Sequence, residues 1–207
     1  GVIMLIFMPE ASLLLTPVAF IGAMLSAAAV YALAWKNGIR PSRIILAGVA
    51  VSAFLGSGIS ALLVFYSDKV QGALLWMVGG LSARSWPQVE SLFPYTILGL
   101  VFAICGCKAL TILSLGDEMA RGLGVNVEVT RIILTAIAAL LAASAVSVVG
   151  LLGFVGLVVP HAARLLIGSD YRFLLPASAL LGIAIVTLSD TFARVIFAPI
   201  ELPVGII

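Results

Sequence analysis

The sequence predicts an all-α bundle of membrane-spanning helices, and three observations predict it. Hydrophobic residues make up 63% of the 207 and charged residues only 10%, whereas a soluble domain is about 45–50% apolar. Apolar runs recur at roughly the 20-residue length that crosses about 30 Å of hydrocarbon as a helix. The charges gather between those runs, most densely over Leu115–Arg131, where five of them fall. Inside hydrocarbon a backbone must pair its own N–H and C=O groups, which makes helices of apolar runs of this length.

In chain order, a partial span is expected at Gly1–Met8. Full spans follow at Thr16–Trp35, Arg43–Tyr66, Gln88–Lys108, Arg131–Val149, Leu151–Ile167 and Phe173–Ala198, six in all, with a second partial span from Val204. Because both ends fall in or beside apolar runs, residues 1–207 are expected to be one transmembrane domain, an internal piece of a longer protein. The Arg43 span carries Gly48, Ser52, Gly56 and Ser60 at four-residue spacing. That is a strip of small residues on one helix face, suited to close helix packing or to room beside a translocation path. The stretch Lys69–Leu81 is apolar but too short to cross. It predicts a helix at the outer surface ended by Gly79-Gly80, with a re-entrant segment as the other reading. Gly150, Gly153 and Gly156 predict a sharp reversal between the fourth and fifth spans. The fifth span is short and holds Pro160, His161 and Arg164, and the lone His161 is expected to be structural, since no second ligand stands at metal spacing. Cys105 and Cys107 point to different helix faces, so they predict small core residues rather than a disulfide or metal pair.

Placing the Lys36–Arg43 loop in the cytoplasm puts Lys36, Arg40, Arg43, Lys108, Arg121, Arg131, Arg164 and Arg172 inside and Lys69, Arg84 and Arg194 outside. Eight against three satisfies the positive-inside rule. Tyr66, Trp76 and Trp86 then gather at the outer end and Tyr31, Trp35 and Tyr171 near the inner one, as interfacial belts do. The Leu115–Arg131 island becomes cytoplasmic, a surface where a soluble partner takes hold. Asp190 and Arg194, four residues apart on one helix face, are expected to pair, which lowers the cost of placing either in low dielectric. Arg194 lies 21 residues beyond Phe173, about 32 Å along the helix, and so at the outer mouth. There it is either purely structural or presents positive charge to an external partner or an anionic ligand.

The chain holds no phosphate loop, nucleophile elbow, HExxH or CxxC, so no enzyme activity is expected. Its net charge of +2 gives no reason to expect nucleic acid. Energy for transport must then come from an ion gradient or from another subunit. An ion-coupled carrier buries ionisable groups near the midplane, and few are present, which favours a soluble energising subunit. The rival readings are an ion-coupled secondary transporter, a permease for free metal ions such as zinc or manganese, and a non-transporting scaffold.

The runs Leu115–Asn126, Gly153–Leu166, Gly168–Asp170, Leu174–Pro176, Asp190-x-x-x-Arg194 and Glu201–Gly205 resemble the FecCD family over nearly the whole chain. Its members are permease subunits of iron-siderophore, haem and vitamin B12 importers of the ATP-binding cassette class. The resemblance implies a type II importer fold of about ten helices, each near the spanning length, of which this stretch would lack the first two, most of the third and nearly all of the tenth. It implies a homodimer or a pair of homologous permeases in the cytoplasmic (inner) membrane of a bacterium, two cytoplasmic ATP-binding subunits, and a periplasmic or lipid-anchored binding protein. No cofactor of its own is implied, ATP being bound by the partner subunit. The implied cargo is an iron chelate, with ferric siderophores first and haem or cobalamin after them.

Carried over to this sequence, Gly116, Asp117, Glu118, Ala120, Arg121, Gly122 and Gly124 would form the coupling segment that fits a cleft on the ATPase. Ala120, Gly122 and Gly124 would permit close backbone approach, and Asp117, Glu118 and Arg121 would make polar contacts. Arg194, paired with Asp190, would meet an acidic residue of the binding protein. Pro41 and Ser42 would mark the cytoplasmic gate, where proline departs from the hydroxyl residues of some relatives.

Overall fold

In the computed structural model, described for residues 2–8, 12–35, 41–67, 70–82, 84–196 and 203–206, every regular element is helical. The elements are α1 (Val2–Phe7), α2 (Ser12–Ala34), α3 (Pro41–Phe65), α4 (Val70–Val78), α5 (Trp86–Cys105), α6 (Cys107–Leu113), α7 (Asp117–Gly122), α8 (Val127–Val149), α9 (Val155–Ile167) and α10 (Tyr171–Ile196), then a 3-10 turn at Val204–Ile206. The expectations for Lys36, Arg40, Lys69, Ala198, Glu201 and Leu202, and for the side chain of Pro41, fall outside the described residues.

Local sequence explains several boundaries. At the start of α5 the Ser85 N–H donates to Gln88 Oε1 at 2.9 Å, with Pro87 in the first turn, where a missing N–H costs nothing. Asn126 caps α8, its Oδ1 accepting from the Val129 N–H at 3.2 Å, the role for which a short polar side chain is favoured. Five helices, α2, α3, α5, α8 and α10, are long and apolar enough to cross a membrane, and the chain is a multi-pass membrane protein.

The fifth expected span, Leu151–Ile167, is corrected. Residues 150–153 are not helical, Phe154 sits in the left-handed region at φ 62°, and α9 begins only at Val155. Its 13 residues reach about 20 Å, short of the hydrocarbon thickness. The reversal falls where the glycines were expected, with Gly150 and Gly153 in it and Phe154 added. Gly150, at φ 80°, makes it together with Phe154, while Gly156 lies inside α9.

Packing centres on α8, which lies against α2 and α5; α3 adds to α2, α9 lies on α10, and the start of α10 meets α6. Cys107 is buried and its thiol donates to the Tyr171 carbonyl at 3.4 Å, whereas Cys105 is exposed and is no core residue. Large apolar side chains such as Phe54, Phe65 and Leu165 are bare, an inversion of soluble packing that leaves these faces for lipid or further helices.

The end of the bundle that holds α4 is a junction of three segments. As expected, a short helix, α4, ends just before Gly79-Gly80, and it packs on α1. Val2, Ile6 and Ala73 are buried there beneath Ile59, Leu62 and Leu63 of α3. The Gly80 N–H donates to the Val149 carbonyl at 2.9 Å and the Gly205 N–H to that of Gly79 at 3.2 Å. A Cβ at Gly79, Gly150 or Gly205 would run into the backbone carbonyl of Leu151, Trp76 or Val78 respectively. Glycine is what lets the ends of α4 and α8 and the Pro203–Gly205 segment touch backbone to backbone.

Candidate functional site

The charged island folds into a compact projection between α6 and α8. Gly116 turns the chain at φ 101° and opens α7. Asp117 and Glu118 stand in the first turn of α7 and Arg121 in its last, the placement that opposes the helix dipole. At the far end the Val125 N–H donates to the Ala120 carbonyl and the Gly124 N–H to that of Arg121, each at 3.0 Å, with Gly124 at φ 80°. This is a Schellman closure, and it needs a left-handed residue where Gly124 stands.

Two expectations change here. Asp117 is engaged within the chain: its carboxylate takes both terminal nitrogens of Arg131, at 2.5 and 3.1 Å, tying α7 to the first turns of α8. Ala120 is fully buried, so it seats α7 on the protein instead of offering a close approach to a partner. Glu118, Arg121, Gly122 and Gly124 are exposed, and a Cβ at Gly122 or Gly124 would meet nothing within 4 Å, leaving that flank open. Sequence reasoning missed three residues. Leu115, Met119 and Leu123 are 57%, 60% and 59% exposed, an apolar surface on a projection otherwise suited to water. Their spacing of four within a polar island is the signal that could have found them.

Removing either side of the Asp117–Arg131 pair is expected to loosen α7. Both groups are partly exposed, so the coupling should be about 1 kcal/mol. In full-length protein, amide exchange across residues 116–126 should quicken about fivefold in Asp117→Ala and in Arg131→Ala, with the double variant no faster than either. Additive effects would mean the pair braces nothing.

Concavities lie along the fold among the described residues. A cleft of about 380 Å³ beside α7 is lined by Arg121, Gly124, Asn126 and Glu128. A cavity of about 620 Å³ between α2, α5 and α8 has Thr16, Gln88, Ser91, Tyr95, Ser144 and Ser147 in its wall, hydrogen-bonding groups without charge. Ser144 and Ser147 are buried and donate to the carbonyls of Leu141 and Ser144 at 2.8 Å. A third, of about 400 Å³, continues along α2 and α8 past Tyr31 and Thr135.

The remaining expected residues stand apart from α7. Arg194 donates from Nε to Asp190 Oδ2 at 2.8 Å, as the spacing predicts; the pair occupies the last turns of α10, while the start of that helix meets α6 beside α7. Arg194 and α7 are therefore at opposite ends of the bundle. Pro41 and Ser42 open α3. The strip above them is not consumed by packing: a methyl group added at Gly48 or Gly56 would have nothing within 4 Å, and Ser60 donates back to the Gly56 carbonyl at 3.0 Å. Among the described residues no three His, Cys, Asp or Glu side chains converge as a metal site would require, and His161 is exposed on α9.

Comparison with known proteins matches the family model of the FecCD transport family to residues 1–207. A cobalamin import system permease protein, BtuC, of Halobacterium salinarum is 41% identical over 192 residues, 92% of this chain and 52% of that protein. A Fe(3+)-citrate import system permease protein, YfmE, of Bacillus subtilis is 40% identical over 206 residues, 99% of this chain and 62% of that one. An iron(3+)-hydroxamate import system permease protein, FhuG, of Bacillus subtilis is 39% identical over 194 residues, 91% of this chain and 56% of that one. A solved structure described as an inward-facing conformation of a metal-chelate type ABC transporter superposes with a TM-score of 0.83 at 25% identity, over 93% of this chain and 66% of its own. The chain thus spans between half and two thirds of the length of these relatives.

Proposed function

Because this chain belongs to the FecCD transport family, we propose that it is the membrane-spanning permease part of an ATP-binding cassette importer for an iron chelate. Ferric siderophores are the first candidate cargo, with haem and cobalamin after them. Relatives named for ferric citrate, ferric hydroxamate and cobalamin import support that range. The permease works as a homodimer or beside a homologous permease in the cytoplasmic (inner) membrane of a bacterium. Two ATP-binding subunits drive it from inside, and a periplasmic or lipid-anchored binding protein delivers cargo. The permease itself needs no cofactor and catalyses nothing; ATP is bound and hydrolysed by the partner subunits.

The observation that carries this reading is the α7 projection: bare at Leu115, Met119 and Leu123, seated by Ala120, and tied by Asp117 to Arg131 of the helix at the centre of the packing. A partner holding Leu115, Met119 and Leu123 acquires a lever. When nucleotide closes the two ATPases, α7 moves, the ion pair draws the start of α8 with it, and α8 carries α2 and α5. That tilt switches the path from outward to inward facing. Arg194, at the far end of α10, presents its guanidinium to an acid of the binding protein while Asp190 holds it in place. Ser42, at the start of α3, belongs to the cytoplasmic gate with Pro41, and the open Gly48–Ser60 strip faces the path or the second permease.

The test is native mass spectrometry of the full-length, natively expressed protein in mild detergent. Two permeases with two ATP-binding subunits are expected. A permease that stays alone with an ATP analogue present, and whose uptake collapses with the ion gradient, would instead be a secondary carrier.

A further inference from the structure

We infer that the end of the bundle bearing α6 and the start of α10 carries a binding site for anionic phospholipid headgroups, formed by Lys108, Arg164 and Arg172. Lys108 is the second residue of α6, Arg172 the second of α10, and Arg164 stands in the last turn of α9. Tertiary packing brings the helix ends that carry them to one end of the bundle. The Cys107 thiol donates to the Tyr171 carbonyl at 3.4 Å, so Lys108 and Arg172 each adjoin a contacting residue. On the other flank of this helix start, α9 packs on α10 and is joined to it only by Gly168–Asp170.

All three cationic side chains are exposed, and neither ion pair found among the described residues uses them. The one acid at the junction, Asp170, turns an oxygen to the Arg172 backbone N–H at 3.0 Å and caps α10. Three exposed positive groups therefore share this end of the bundle with one acid, and that acid is turned to backbone.

The second observation is what lies beside the charges. Leu165 and Leu166, next to Arg164, are 76% and 74% exposed; Phe173, next to Arg172, is 63% exposed; and Ile104, one turn before Lys108, is 56% exposed. An acidic soluble partner would account for the cations but not for bare leucine and phenylalanine at their side. A phospholipid accounts for both, its phosphate meeting the cationic heads and its acyl chains the apolar side chains, with long Lys and Arg stems bridging the two. The inference rests on the cytoplasmic placement of this end adopted above, and that leaflet carries the anionic lipids that attract basic residues.

The experiment needs neither transport nor the ATPases, so it stands apart from the importer reading. Purified full-length permease is titrated with phosphatidylglycerol and with phosphatidylcholine of matched chains, and bound lipid is read by native mass spectrometry. The wild type should prefer phosphatidylglycerol on the order of 100-fold, the increment expected of three surface cations. K108Q/R164Q/R172Q should lose nearly all of that preference and K108R/R164K/R172K should keep it. If the neutral triple variant does not fold, the three single substitutions, each expected to lose about fivefold, take its place. No preference in the wild type, or an undiminished one in the neutral variants, overturns the site.

Discussion

Met119→Asp in the full-length permease should weaken its association with the proposed ATP-binding subunits about 30-fold or more, with ATP-driven uptake lost in step. Met119 is 60% exposed in the middle of α7 and lies in sequence between Leu115 and Leu123, which are equally bare. A protein surface that covers these side chains removes them from water, and an apolar anchor at the centre of such a contact is worth about 2 kcal/mol or more. Aspartate there leaves a charge to be desolvated without a partner, which adds to the loss. Met119→Leu, similar in volume and apolar, should retain binding. Glu118→Gln, on an exposed side chain of the same turn, should change affinity less than about threefold. Because Met119 faces solvent in the isolated chain, the aspartate variant should fold normally, and an intact fold with unchanged subunit affinity would remove the lever from the mechanism.

Gly79→Ala and Gly150→Ala should each lower the stability of the purified permease by about 2–5 kcal/mol. Two causes add. Both residues hold positive φ, at 73° and 80°, where a Cβ costs about 1–2 kcal/mol. In both, that Cβ would also press on a neighbouring carbonyl, of Leu151 or Trp76, and such overpacking costs about 1–3 kcal/mol. Gly153→Ala is the control, since an added methyl meets nothing within 4 Å and φ is not positive. Thermal unfolding in detergent reads the difference. Equal midpoints for Gly150→Ala and Gly153→Ala would show that the contact between α4 and the end of α8 is not a structural constraint.

The fold class is legible in the sequence because it depends on a quantity that adds along the chain. Spans as apolar as those of α2, α3, α5, α8 and α10 leave little choice but to cross hydrocarbon as helices. The Asp190–Arg194 pair is legible for a similar reason, since four-residue spacing on a helix is enough to join two side chains. The span expected at 151–167 fails because hydropathy cannot tell an apolar helix from an apolar turn. Only the approach of Trp76 and Gly80 to the end of α8 shows why the chain unwinds there.

At the candidate site the division is sharper. Polar character and the glycines mark out the segment, and Gly124 proves necessary as the left-handed closure of α7. The roles of its residues are decided elsewhere in the chain, by Arg131 reaching Asp117 and by the burial of Ala120. The sequence by itself determined a membrane-embedded helical protein with one water-facing projection, because hydropathy and helical period are local properties. Tertiary structure alone decided which side chains of that projection brace the protein and which remain for a partner. Burial and ion pairing depend on what distant residues bring to the same place, and one stretch read in isolation does not contain its neighbours.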